Sequence, residues 1–132
     1  MSIRLSYVYL GLVLIMQSCI GPNGDGQIDI LKTSIDTINI FELNGSDSVI
    51  VNFELYNLSK TKTIEIKQIS SECGCVSADT TFISINPLSN NSINILYKPE
   101  EKDKGSVIKT IGLLTNLEPP IRFLYLKAII IR

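Results

Sequence analysis

The chain has 132 residues, enough for one domain and too few for a second sizeable core. Apolar residues make up 45%, which excludes global disorder, and a net charge of −1 with scattered Lys and Arg offers no basic patch for nucleic acid. Histidine is absent, which removes the commonest general base and metal ligand and with them any Ser-His-Asp arrangement.

The N-terminus reads as an export signal. Arg4 is the sole charge before Asp25, and Leu5 to Met16 is an uncharged, largely apolar run. A positive start, a short apolar stretch and a small residue before a cleavage point describe a secretory signal. As a helix the run would rise only about 18 Å, short of the roughly 30 Å that a bilayer core requires. Met16-Gln17-Ser18-Cys19 resembles a bacterial lipobox, which marks Cys19 for lipid attachment and residues 1–18 for removal. Met16 and Gln17 depart from the commonest residues at those places. Gly21 to Gly26 then has the composition of a flexible tether, so residues 19–26 are expected to link lipid to domain. Removing residues 1–18 takes away Arg4 and leaves 11 basic against 13 acidic residues, a net charge of −2.

From Gln27 onward the pattern is that of strands. Residues 27–31 and 37–43 alternate apolar and polar side chains, and Asn44 to Asp47 is a turn cluster. Val49, Val51, Phe53 and Leu55 fill one face of a longer strand, and Ile64 and Ile66 resume the alternation. Residues 82–85 stop at Pro87, which lacks the N–H a central strand needs. Ile93, Ile95 and Tyr97 form the next strand, followed by Pro99 and a charged run, Glu100 to Lys104, that reads as a solvated loop. Residues 107–115 and 121–131 complete the set. Both are apolar on each face and are therefore placed centrally, although a partner surface would leave the same pattern. Nothing after residue 27 repeats at helical spacing. The expected fold is all-β: an immunoglobulin-like antiparallel β-sandwich of seven to eight strands over residues 27–132.

Four segments carry a family resemblance. Phe53-Glu54-Leu55-Tyr56-Asn57 looks like a strand ending in Asn, and Cys73-Gly74-Cys75 follows the next strand. Ile95 to Pro99 leads through the charged loop to Gly105, and Lys109-Thr110-Ile111 runs to Thr115-Asn116. Together they resemble the small bacterial lipoproteins with a Hydin-like, immunoglobulin-type domain of unknown function. The resemblance implies an extracytoplasmic, non-enzymatic β-domain and names no substrate. Two departures stand out: Val76 replaces the usual Thr after the CGC triplet, and Asn86-Pro87-Leu88-Ser89-Asn90 replaces a Pro-Gly turn.

Cys73 and Cys75 are the pair with chemical interest. An oxidising compartment favours their union, and Cα atoms two residues apart lie about 5.5 to 7 Å from each other, within disulfide range in a tight turn. Gly74 gives the turn its backbone freedom. So small a ring stabilises by only ~1.6 kcal/mol before strain. Three readings stand: a structural disulfide, a thiol-redox pair, and a soft-metal site for Cu(I). Zinc would need Glu72 or Asp79 as further ligands. Elsewhere, Thr37, Ser48 and Thr80 each follow an Asp, in tripeptides that look like acceptors of a general O-glycosylation system. The tripeptide also arises naturally where an Asp turn meets a strand.

The function expected is a non-catalytic binding or interaction module in a Gram-negative envelope, with no cofactor. Its lipid holds it to the membrane, and a protein is its expected partner. Ile20 after Cys19 lacks the Asp that favours inner-membrane retention, which points to the outer membrane. The rival is an accessory redox or copper-handling lipoprotein acting through Cys73 and Cys75.

Overall fold

The computed structural model describes residues 29–132; the signal segment, Cys19 and the tether lie outside the described residues. Nine strands form, with no helix among the described residues: β1 (Leu31–Thr33), β2 (Thr37–Asn44), β3 (Val49–Asn57), β4 (Ile64–Ser71), β5 (Val76–Ala78), β6 (Ile83–Ile85), β7 (Asn90–Tyr97), β8 (Gly105–Thr115) and β9 (Ile121–Ile131). They make two sheets, ordered β1-β3-β7-β5 and β2-β9-β8-β4-β6. The expected β-sandwich is present, with one strand more than the upper expectation, because the three-residue β5 is too short to show as an alternating run.

The alternation read from the sequence is the packing. Phe53 and Leu55 of β3, Ile64 and Ile66 of β4, and Ile93, Ile95 and Tyr97 of β7 all point between the sheets and are almost wholly buried. Ile111, Leu113, Leu124 and Leu126 meet them from β8 and β9. Fully burying side chains of this size stabilises by about 1.5–3 kcal/mol each, so this interior dominates the fold's stability.

Three details depart from the expectation. The pairing is not wholly antiparallel, since β2 runs parallel to β9. The chain leaves the four-stranded sheet at Ser34 and continues in the same direction along the other sheet, so β1 and β2 are one extended run divided between two sheets. A bulge between Ile40 and Leu43 interrupts that pairing and leaves Phe41 exposed. Next, β8 and β9 lie inside their sheet, but their outer face is covered by nothing among the described residues. Finally, the charged run after Pro99 is not simply solvated, because Asp103 is buried.

Candidate functional site

Most of the connections between strands gather at two rims. At one rim lie the β2–β3 turn, the Cys73-Gly74-Cys75 hairpin between β4 and β5, the β7–β8 connection and the final Arg132. At the other lie Asp29, the β3–β4 and β6–β7 turns and the β8–β9 connection.

The cysteine rim is built as follows. Cys73 and Cys75 are joined as a disulfide with their Cα atoms 5.1 Å apart, tighter than an extended Cys-X-Cys would allow. Ser71 holds the hairpin's feet together: its hydroxyl lies 2.6 Å from the carbonyl oxygen of Cys73 and 3.1 Å from that of Val76. Lys98 N–H donates to the Cys75 carbonyl at 2.8 Å, which docks the hairpin on the end of β7. Cys75 is buried and Cys73 half-buried, while Gly74 faces open space.

Facing the hairpin is a charged cluster. The Glu100 carboxylate and both sulfurs lie within 4.8 Å of one another. Glu100 Oε2 is buried with no hydrogen-bond donor, though Lys102 and Lys109 stand 3.4 and 3.6 Å away. Behind it, Asp103 accepts from Lys109 Nζ at 2.8 Å, from Glu100 N–H at 2.9 Å and from the Tyr97 hydroxyl at 3.1 Å. Burial pushes the Asp103 carboxyl upward, but the bonds from Lys109, the Glu100 N–H and Tyr97 prevail and hold it below the usual carboxylate value. Tyr97 shifts the other way: burial first, then its bond to Asp103, push the phenol well above its ordinary range. Arg132 closes the rim by donating to the carbonyls of Glu100 and Asp103, its side chain lying over Gly45.

The ligands foreseen beside the cysteines are not the ones present. Asp79 is turned to Asn94, bonding its N–H at 3.3 Å and its amide at 2.9 Å, and Glu72 is exposed outside the cysteine group. Glu100 takes that place instead, delivered by the β7–β8 connection. Among the residues missed, Lys109 left a signal: it shares the inward face of β8 with Ile111 and Leu113, so a buried counter-charge was required.

The remaining motif residues latch the fold. Asn57 donates to the carbonyls of Lys62 and Ile85 at 2.7 and 2.9 Å and accepts from Ser59 N–H. Asn116 accepts from Glu65 N–H and donates to Thr63 O, while Thr115 donates to Pro120 O. Gly105 holds φ at +67°, a conformation side chains rarely adopt. Thr37, Ser48 and Thr80 are not brought together. Ser48 is exposed on the cysteine-rim turn, whereas Thr37 and Thr80 are half-buried at separate places, Thr80 donating to Phe82 O.

The far rim holds a cavity of about 490 Å³ between Asp29, Lys62, Asn116, Glu118 and Arg122. Arg122 already pairs with Asp29 at 3.1 Å there.

The two outer faces contrast. On the four-stranded sheet, Asn52 bonds Asn94 and Glu54 accepts from Tyr56, giving a polar surface interrupted by Ile50 and Leu96. On the five-stranded sheet, Ile108 is 58% exposed, Phe123 53% and Ile129 46%; Ile121 and Leu114 pair beside Phe123, while Lys127 lies across from Ile108 and Ser106 across from Ile129.

A family model described as "Protein of unknown function (DUF1573)" matches residues 31–130. No curated protein matches the chain in sequence. Among solved structures, the PapD-like domain 7 of human CEP192 is similar with a TM-score of 0.62 at 11% identity, over 78% of this chain and 86% of that one. A protein of unknown function from Porphyromonas gingivalis W83 gives 0.64 at 16% identity, over 76% of this chain and 46% of that one. The CupB2 chaperone of Pseudomonas aeruginosa gives 0.55 at 14%, over 74% and 54%. The chain thus spans about half the length of the two bacterial proteins. Likeness at such identity shows the fold alone: a PapD-like, immunoglobulin-type β-sandwich.

Proposed function

This chain belongs to the DUF1573 family, and from that premise we propose that it is a non-catalytic binding module held at the envelope of a Gram-negative cell by lipid on Cys19. The observation that carries the binding reading is the apolar outer face of β8 and β9. Exposed large apolar side chains gathered on one face mark interaction sites, and this face carries more of them than the other sheet, where Ile50 and Leu96 stand out; Lys127 and Ser106, across from Ile108 and Ile129, give it a polar component. A protein partner packing on Ile108, Phe123 and Ile129 accounts for strands that are apolar on both faces.

The anchor reading sets how far the domain can stand from the bilayer. Asp29 enters at the rim opposite the disulfide, and the ten residues from Cys19 to Ile28 reach at most about 35 Å. Ile20, which lacks the Asp that favours inner-membrane retention, supports outer-membrane residence, and exposed Ser48 is the best placed of the three glycan acceptors.

Two measurements test this. Intact mass of protein purified from its native membrane is expected to start at acylated Cys19; a mass retaining residues 1–18 refutes the anchor, and one without hexose increments refutes glycosylation. A photo-crosslinking residue at Ile129 is expected to trap a protein in the intact envelope, while one at Asn52 does not. Equal or absent adducts at both positions refute docking on this face.

A further inference from the structure

We propose that Cys73, Cys75 and Glu100 form a redox-gated zinc site, closed while the disulfide is intact and open to one ion when it is reduced. The proposal stands apart from the docking face and the lipid anchor.

Three observations converge on it. Among the described residues, the two sulfurs and the Glu100 carboxylate are the cysteine and carboxylate groups gathered this tightly, all within 4.8 Å of one another. Tetrahedral zinc, with sulfur about 2.3 Å and oxygen about 2.1 Å away, needs its ligands roughly 3.5 to 3.8 Å apart, so small adjustments suffice once the sulfurs separate. Next, Glu100 Oε2 is buried and receives no hydrogen bond, held only by ion pairs with Lys102 and Lys109 at 3.4 and 3.6 Å. Third, the hairpin is held by bonds independent of the sulfur–sulfur link: Ser71 to the carbonyls of Cys73 and Val76, and Lys98 N–H to that of Cys75. Opening the disulfide therefore leaves the ligand-bearing backbone in place.

The electrostatics suit a dication. Two thiolates and a carboxylate around Zn²⁺ leave one negative charge, and Lys102, 3.4 Å from Glu100, offsets it. Asp103 is occupied by Lys109, Tyr97 and the Glu100 N–H, and Arg132 binds carbonyl oxygens, so neither alters this balance. Open space around Gly74 leaves room for water as the fourth ligand. A carboxylate oxygen beside two sulfurs favours zinc over Cu(I), which two thiolates alone would satisfy.

The chemistry balances in two steps. An external dithiol gives two electrons and two protons to the disulfide, breaking the sulfur–sulfur bond and leaving as a disulfide itself. Zinc then displaces both thiol protons as the zinc–sulfur bonds form.

The test uses the full chain in detergent with Cys19→Ser, so that only the pair's thiols count, and Co²⁺ followed by Zn²⁺ as probes. After reduction with a phosphine, one Co²⁺ per chain is expected to bind with thiolate-to-cobalt charge-transfer absorption, two protons released, and displacement by zinc. The oxidised chain is expected to show none of this. Glu100→Gln is expected to weaken binding by about tenfold or more, while Glu101→Gln on the same turn leaves it unchanged. No charge-transfer band in the reduced chain overturns the proposal. So does an affinity that Glu100→Gln and Glu101→Gln alter equally or not at all.

Discussion

The Asp103 carboxylate and the Lys109 ammonium meet at 2.8 Å inside the cysteine rim, with side chains only 5% and 13% exposed. Neither charge can reach bulk water freely, so each depends on the other. Their partnership ties the β7–β8 connection to β8, whose inward face would otherwise carry an unpaired cation.

Replacing Asp103 by Asn leaves the buried Lys109 with only the longer 3.6 Å pairing to Glu100 and is expected to destabilise the domain by about 2–3 kcal/mol at neutral pH. The pH dependence has a definite sign. The folded carboxyl titrates below its unfolded value of about 3.9, so its contribution is full above that value and is lost as pH falls through the depressed folded one. Denaturant unfolding of the two proteins at pH 7 and pH 3 should show the gap narrowing in acid. A gap that widens or holds steady refutes the assignment.

The turn before β7 presents the opposite case, a local defect that a substitution can repair. Ser89 N–H closes on Asn86 O at 3.2 Å, and between them Leu88 holds φ at 54°, where a side chain costs roughly 1–2 kcal/mol. Glycine relieves that strain, less about 0.5–1 kcal/mol for its freer unfolded chain. Leu88 is 67% exposed, so little packing is lost. Leu88→Gly should raise stability by about 0.5 kcal/mol in a melting or urea experiment; a loss would mean that the leucine packs usefully.

Asn57 shows what the Asn at the end of β3 does. It is buried, and its amide bridges two carbonyls while its oxygen receives Ser59 N–H, joining β3, the β3–β4 turn and β6. Asn57→Ala orphans those groups and should cost about 2–3 kcal/mol. Asn57→Asp should be no better, since a carboxylate cannot donate to the two carbonyls. Equal stability of the Asp variant and wild type in urea would disprove the donor role.

These cases show what the sequence made legible. The alternation in β3, β4 and β7 named the core facing residues, because a period of two maps directly onto a buried sheet face. Cys73 and Cys75 were legible as a pair because they are two residues apart. Glu100 was not, since its approach depends on a loop crossing between sheets, and loop geometry leaves no period to read. Asp103 was hidden inside a run of charges that looks solvated. Its partner Lys109 was visible as the wrong residue on an inward face. The parallel β2–β9 pairing was equally hidden, because alternation reports which face is buried and carries no information on strand direction.

The outer face of β8 and β9 allows stability and docking to be separated. Ile108 and Phe123 are more than half exposed, so Ile108→Thr with Phe123→Thr removes apolar surface while leaving residues of good strand propensity at both positions. Folding should change by less than ~1 kcal/mol, since most of what is removed already faces water. The adduct trapped from a photo-crosslinking residue at Ile129 should fall sharply, because apolar contact supplies most of the energy when such a surface is covered. An undiminished adduct would place docking at another surface, such as the free edge of β2 beside exposed Phe41, where backbone groups rather than side chains would hold the partner. Loss of the adduct together with a large loss of stability would instead mean that these side chains support the sheet itself. Thermal melts on the same preparations decide between those outcomes.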